Sequence, residues 1–184
     1  MRRRTKARQL ALEVLYQADI RREDAREVGR EYLRERTRDA ELLAFAHTLI
    51  DGTCEHLAEI DEQIRAAAQN WEIGRMAVVD RNILRLAVFE LAHVDDIPVK
   101  VSINEAIELA KKFGSEESGQ FVNGILDKVK ETLEARGGGN HHGDTEDTEK
   151  TNGCRGTEEG IAEKRRKRRG EDPSAENALR LGSG

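Results

Sequence analysis

The sequence has few of the residues that interrupt helices or crosslink small domains. Its 184 residues include two prolines, two cysteines and 4% aromatic residues, and Pro98 is the one proline within residues 1–136. Because proline breaks the hydrogen bonding of a helix or a central strand, this scarcity leaves room for long helices. Cys54 and Cys154 lie a hundred positions apart, with no second cysteine or histidine at metal-ligand spacing. The sequence therefore predicts neither a disulfide framework nor a structural zinc site.

A long apolar run is also missing. None approaches the roughly 18 residues of a membrane span, and the basic start is not followed by the apolar core of a signal peptide. We therefore expect a cytoplasmic protein without a membrane partner. Charged residues make up 36% of the chain, for a net charge of −5, which is typical of helices with solvated faces.

The composition changes at Gly137. Residues 137–184 hold ten of the sixteen glycines, seven residues of the hydrophobic set and no aromatic residue. Such a stretch cannot bury enough apolar surface to offset the loss of backbone freedom on folding. The sequence predicts one folded domain, residues 1–136, followed by a disordered low-complexity tail, residues 137–184.

Two features of this tail have a functional and a structural interpretation. The basic run 164–169 could add nonspecific affinity for phosphates, but a charge block in a disordered segment is more often only solvated. His141 and His142 beside Asp144 could hold a divalent metal ion loosely, but adjacent histidines in a flexible segment are not a preorganised site. We favour the structural interpretation of both, and predict no metal site and no cofactor.

Apolar residues recur every three or four positions through residues 1–136, which is the period of an amphipathic helix. The sequence therefore predicts an all-α fold, a compact bundle of about seven helices. One stripe covers residues 7–18, a weaker one starts at Val28, and a long one covers residues 42–64 with a bend or break expected at Gly52. The densest stripe, residues 79–91, is expected to lie in the core.

Residues 98–114 carry the signals of another helix. Ser102 and Glu105 match the capping box, in which each side chain satisfies the other's free backbone N–H. Gly114 is predicted to end this helix in the left-handed conformation. Ser115 is then expected to cap a last helix that has acidic residues in its first turn.

The sequence contains no catalytic constellation. It has no P-loop, no G-x-G-x-x-G after a strand and no G-x-S-x-G. His47, His56 and His93 fall on different predicted helices, and we interpret them as surface or satisfied groups rather than bases or ligands. A protein that is not an enzyme is therefore favoured.

A cluster of cations opens the chain. Arg2, Arg3, Arg4, Lys6 and Arg8 put five positive charges and no negative one into eight residues. Cations at the start of a helix oppose its dipole, so stability alone does not explain them, whereas a phosphate backbone would. A frayed, solvated start is the alternative, and this feature alone does not separate the two.

Phe121 is the aromatic residue that would accompany those cations. It lies at the edge of the last apolar stripe, where a ring could stack on an unpaired base. Core packing is the alternative, and the spacing favours it. Gly124, in the middle of the same predicted helix, predicts that another backbone approaches closely.

Three blocks in order resemble the NusB family of bacterial transcription antitermination factors. They are VDRNILRLAVFEL at 79–91, IPVKVSINEAIELAKKFG at 97–114 and FVNGILDK at 121–128. Trp71 and the basic start that runs into ALEVLYQ at 11–17 are similar to the family too. The resemblance covers residues 2–134 and does not extend to the tail.

The resemblance implies an all-helical fold of two small sub-bundles and a noncatalytic RNA-binding protein. Family members bind boxA-type RNA of ribosomal RNA leader transcripts together with NusE, a small-subunit ribosomal protein, and act on the transcription elongation complex so that RNA polymerase reads through terminators. They occur as monomers and as homodimers. Carried to this sequence, the family's RNA-binding positions are Arg2, Arg3, Arg4, Lys6 and Arg8 for the phosphates, and Glu117, Gln120 and Phe121 along the RNA path. Tyr16 and Asp80 would face the ribosomal-protein partner.

Two other interpretations stay open. A similar helical domain precedes the catalytic domain of some ribosomal RNA cytosine methyltransferases, but no strand pattern or cofactor loop follows residue 136. The second is a helical protein–protein interaction module without RNA binding, whose basic start only adds solubility. Charge reversal of Arg3, Arg4 and Lys6 would distinguish this module from the RNA-binding protein.

Overall fold

A computed structural model describes residues 3–69 and 71–137. Within these ranges the chain forms seven α-helices and one 3-10 turn, Ile73–Arg75, and no strand. The helices are α1 (Arg3–Arg21), α2 (Ala25–Arg36), α3 (Ala40–Glu55), α4 (Leu57–Ala67), α5 (Val78–His93), α6 (Val99–Phe113) and α7 (Ser118–Gly137). The predicted all-α fold is confirmed. Arg2 and all but the first residue of the predicted tail lie outside the described residues.

The helices pack as two sub-bundles. Helices α1, α2 and α3 contact one another, and α4, α6 and α7 surround α5. Helix α5 also contacts α1 and α3, which joins the two sub-bundles through one continuous core. None of the helices in the described ranges is long and apolar enough to cross a membrane.

Helix α5 lies at the centre, as its dense apolar stripe predicts. Ile83 and Leu84 are completely buried and Phe89 is 5% exposed, and each of the three belongs to a different face of the helix. A helix that is apolar on several faces can be stable only where neighbours cover all of them. Five helices contact α5, and this explains why its stripe is the densest in the sequence.

The long central stripe is divided at His56 and not at Gly52. Helix α3 continues through Gly52 to Glu55, and His56 leaves helical geometry with φ −100° and ψ 14° before α4 begins. The ring of Phe89 explains the glycine, because a Cβ atom at position 52 would lie 2.0 Å from its Cζ atom. Gly52 therefore admits an aromatic ring from α5 rather than bending α3.

The predicted capping box is wrong. Helix α6 starts at Val99 after Pro98, three residues before Ser102, so Ser102 and Glu105 lie inside the helix. The Ser102 hydroxyl is buried and donates a hydrogen bond to Glu90 Oε1 on α5. Water can satisfy the free N–H groups at an exposed helix end, but it cannot reach the buried carboxylate of Glu90. The Ser102 hydroxyl therefore serves Glu90, and this contact between helices overrides the local capping pattern.

The link between α6 and α7 also differs from its prediction. Gly114 has φ −92°, which is not left-handed, and it is needed because a Cβ atom there would lie 2.4 Å from Ser118 Oγ. Helix α7 starts at Ser118 rather than after Ser115, so Glu116 and Glu117 precede the helix. The Ser118 hydroxyl accepts a hydrogen bond from Ser115 N at 2.9 Å, which closes the turn.

The close approach predicted at Gly124 is wrong as well. Gly124 lies on the exposed face of α7, and a Cβ atom at this position would have no atom within 4 Å. The glycine therefore has no packing role.

An ion-pair cluster joins α1 to α5. Asp19 Oδ2 accepts hydrogen bonds from Arg81 Nη2 at 2.8 Å and Asn82 Nδ2 at 2.9 Å, and lies 3.3 Å from Arg85 Nη1. Burial raises the pKa of the Asp19 carboxyl, but the hydrogen bonds from Arg81 and Asn82 and the charges of Arg81 and Arg85 outweigh it and hold that pKa below its ordinary value. The charged form is thus favoured in the folded state.

This cluster predicts a pH-dependent stability. Because folding lowers the pKa of Asp19, its charge stabilises the fold above about pH 4 and this contribution is lost as the pH falls below that value. Asp19→Asn should lower the free energy of unfolding by about 1 to 3 kcal/mol at pH 7. Urea unfolding of both chains should show this difference closing as the pH falls toward 3, roughly one unit below the ordinary pKa of aspartate. A difference that is constant with pH would contradict the assignment.

Candidate nucleic-acid interface

The start of α1 carries exposed arginines that are already paired. Arg3 forms ion pairs with Asp39, at 3.0 Å, and with Glu41, both at the start of α3. Arg4 Nη2 lies 2.7 Å from Asp96 Oδ2, and the Arg4 guanidinium lies over the Phe45 ring. Exposed pairs contribute at most about 1 kcal/mol, so either arginine can exchange its carboxylate for a phosphate at little cost. These carboxylates also explain how cations are tolerated at the start of a helix, a stabilising contribution that the sequence alone did not predict.

Arg8 does not belong to this exposed surface. It is 4% exposed, and its guanidinium donates to both carboxylate oxygens of Glu90, at 2.7 and 2.8 Å. A third nitrogen, Nη1, lies 3.3 Å from Glu105 Oε2. The predicted contact between Arg8 and RNA phosphates is therefore corrected, because this side chain is enclosed by the protein and neutralised by Glu90.

Lysines at the end of α6 extend the cationic surface away from α1. Lys112 Nζ donates to Gln9 Oε1 on α1 at 2.9 Å, and Lys111 packs its methylene stem beside Gly119 on α7. Both lysines are exposed, and Lys6 is half-buried on α1. We call the set Arg3, Arg4, Lys6, Lys111 and Lys112 the cationic strip. The two lysines of α6 carry no distinct signal in the sequence, because cations in the last turn of a helix are also explained by its dipole.

The aromatic end of this surface lies on α7. The half-buried Phe121 meets Trp71 edge to face, with ring centroids 5.6 Å apart, and Trp71 is 56% exposed. Gln120 is exposed on the same helix, and Glu117 is exposed in the turn before it. Phe121 packs partly against the core, which agrees with the packing interpretation, and base stacking by its ring stays a prediction. Trp71 is the side chain that adds most exposed aromatic surface here.

The two predicted partner-binding residues lie on neighbouring helices. Tyr16 is 40% exposed on α1, and Asp80 lies in the first turn of α5, where the helix dipole favours a carboxylate. The ion pair between Asp19 and Arg81 brings these two segments together. Asp80 is only 7% exposed, and its buried Oδ1 has no hydrogen-bond partner among the described residues.

Two of the three histidines in the described residues meet in the fold. His56 and His93 stack with ring centroids 3.9 Å apart, although 37 positions separate them in the sequence. The packing of α3 and α4 on α5 creates this pair, and sequence spacing alone carried no sign of it.

The fold and these surfaces define a small all-helical binding protein of two joined sub-bundles. The model of the NusB family matches residues 5–131. The chain belongs to the NusB family. A transcription antitermination protein NusB from Anaeromyxobacter dehalogenans strain 2CP-1 is 52% identical over 128 residues, which are 69% of this chain and 89% of that protein. The predicted family membership is thereby confirmed.

Solved structures agree with this assignment. A NusB from T. maritima superposes with a TM-score of 0.67 and 42% identity, covering 71% of this chain and 92% of that one. A crystal structure of antitermination factors NusB and NusE in complex with double-stranded RNA gives a TM-score of 0.66 at 33% identity, covering 72% and 98%.

Proposed function

We propose that this chain is a transcription antitermination factor that binds boxA-type single-stranded RNA of ribosomal RNA leader transcripts together with NusE. The bound complex would act on the transcription elongation complex so that RNA polymerase reads through terminators. The similarity to NusB proteins supports the antitermination role, and the similar NusB solved with NusE and RNA supports the two partners.

The observation that carries the RNA-binding proposal is that α6, with its exposed lysines, lies between the arginines of α1 and the helix α7 that carries Phe121. The strip runs from α1 over the end of α6, and Lys111 packs against α7 one residue before Gln120. Phosphates bound along the strip would position the RNA backbone, while Phe121 and Trp71 would offer faces on which unpaired bases stack. Glu117 and Gln120 would supply polar groups that read base edges. Arg2 stays a predicted phosphate contact.

Five cations on a domain of net negative charge predict weak binding without a second protein. Tyr16 and Asp80, on the α1–α5 side, are the proposed contacts for NusE. A heterodimer would enlarge the RNA-binding surface and raise the affinity. A helical interaction module without RNA binding is the second candidate, and the carboxylates that already pair with Arg3 and Arg4 favour it.

Fluorescence anisotropy with a short boxA-type RNA tests the proposal. We expect weak binding to the chain alone and tighter binding with NusE. The plot of log affinity against log salt should have a slope of about −2 to −4, because three to five phosphates would each contribute roughly −0.7. Phe121→Leu should weaken RNA binding by about 5- to 150-fold, since the stacking of a base on an aromatic ring is lost.

Charge reversal supplies the matched control. Arg3→Glu, Arg4→Glu and Lys6→Glu together should abolish RNA binding and keep NusE binding. Reversal of three exposed arginines on α2, Arg26, Arg30 and Arg34, changes the net charge equally and should reduce RNA affinity far less. If both triple variants behave alike, or if folded protein binds no RNA with or without NusE, the interaction module is correct.

A further inference from the structure

Three side chains with metal-binding groups meet where α3 ends. His56 occupies the junction between α3 and α4, Glu59 lies in the first turn of α4, and His93 is the last residue of α5. One ligand atom from each lies within 4.8 Å of the other two. Glu59 and His93 lie on helices and His56 is the single residue that joins two helices, so the packing of α3 and α4 on α5 holds all three members in place.

The chemistry of the cluster suits a transition metal. It offers two imidazole nitrogens and one carboxylate oxygen, a set that zinc accepts with water in a fourth position. Magnesium and calcium prefer oxygen ligands alone. The C-terminal ends of α3 and α5 converge here and only α4 begins here, so the helix dipoles favour a positive charge at this point.

The three side chains are close enough together to bind one metal ion, but the orientation of the two histidine rings is not that of a metal-bound site. The His56 and His93 rings are stacked 3.9 Å apart at an angle of 22°, and His56 Nδ1 lies 3.7 Å from Glu59 Oε2. Ligand atoms on a tetrahedral zinc ion are roughly 3.4 Å apart. In-plane lone pairs of stacked rings do not converge on one point, so metal binding needs a turn of one ring about χ2.

Neighbouring side chains orient the ligands. Glu59 Oε1 accepts a hydrogen bond from the buried Gln63 Nε2 at 3.1 Å, which leaves Oε2 on the side of His56. Phe89, which the missing side chain of Gly52 admits, stacks 5.3 Å from the His93 ring and provides an apolar wall. Outer-shell hydrogen bonds and apolar walls of this kind accompany metal sites generally.

We propose that His56, Glu59 and His93 bind a divalent transition-metal ion, with zinc as the best match, and that water completes its coordination. The ion would tie the junction between α3 and α4 to the end of α5. Its effect is stabilisation of the second sub-bundle, and the proposal does not depend on RNA binding.

Zinc titration of the full chain tests the site. The chain also carries His141 and His142, so the reference protein is the variant His141→Asn/His142→Asn. Calorimetry should show one zinc ion per chain in this reference. His93→Gln and Glu59→Gln should each weaken binding at least tenfold, whereas His47→Gln, a half-buried histidine outside the cluster, should not change it.

Thermal unfolding gives an independent readout. A hundredfold excess of zinc over its dissociation constant should raise the midpoint of the reference by roughly 5 to 10 °C and leave that of His93→Gln unchanged. Circular dichroism establishes that each variant is folded. If His93→Gln does not fold, Glu59→Gln replaces it, because Glu59 is exposed and its substitution should not disturb the core. Equal affinity in the reference, His93→Gln and Glu59→Gln, or loss of binding on replacing His141 and His142, would overturn the proposal.

Discussion

Glu90→Gln should lower the free energy of unfolding by about 3 to 5 kcal/mol, because it leaves the charge of Arg8 buried without its main counterion. Glu90 is 2% exposed and Arg8 is 4% exposed, so water cannot replace the lost partner. Glu105 lies 3.3 Å from another nitrogen of Arg8 but is partly solvated, and it cannot form the two-bond contact that Glu90 makes. The glutamine amide would also place a donor near a guanidinium that has only donors.

Urea unfolding followed by circular dichroism measures this effect. The matched control is Glu41→Gln, which removes the exposed partner of Arg3 and should cost less than about 1 kcal/mol. The double variant Arg8→Met/Glu90→Leu should be more stable than Glu90→Gln, because it leaves no buried charge unpaired. A cost for Glu90→Gln as small as that of the control would show that the buried pair does not hold α1 against α5.

Gly52→Ala has the second largest expected effect, a loss of about 3 kcal/mol at the upper end of the range for overpacking. The added methyl group would lie between 2.0 and 2.8 Å from three atoms of the Phe89 ring. Phe89 is 5% exposed on the central helix, so its ring cannot move away without displacing α5. The gain in helix propensity, about 1 kcal/mol, offsets only part of this cost.

Gly124→Ala is the matched control, because it makes the same chemical change in an equally regular helix. With no atom within 4 Å of the new methyl group, it should raise the free energy of unfolding by about 0.5 to 1 kcal/mol. Urea unfolding of the two variants should therefore give changes of opposite sign. Two losses of similar size would contradict the packing described at both glycines.

Periodicity predicted the helices, because apolar spacing depends on the chain alone. The extent of burial around α5 also follows from its own residues, since the apolar residues Ile83, Leu84 and Phe89 occupy different faces. Helix ends were harder to predict. The hydroxyl of Ser102 has two competing uses, and the buried Glu90 that decides between them lies on another helix. No local pattern contains that information.

In the candidate site, too, the sequence predicted which residues are present but not how they pack. The cations and Phe121 were visible in the sequence, but their burial was not, and burial separates Arg8 from Arg3 and Arg4. In the sequence, the arginines at the start of α1 cannot be told apart. They differ only in the folded protein, where carboxylates from three other helices and a loop pair with them to different extents. The histidine pair was missed for the same reason, because its two members come together only in the packed fold.

The position of α1 has a consequence for the synthesis of the protein. Its long-range partners come late in the chain: Glu90, Asp96 and Glu105 pair with its arginines, and Lys112 with Gln9. Ribosomes add about 5 to 20 residues per second, so the first helix waits roughly 5 to 20 s before those groups exist. During that interval the guanidinium groups of Arg4 and Arg8 lack these carboxylates and are open to the RNA of the ribosome, whereas α2 and α3 are already available to cover the apolar face of α1. Because α1 also packs against α5, which is distant in the sequence, the domain should fold more slowly than a bundle of sequential hairpins.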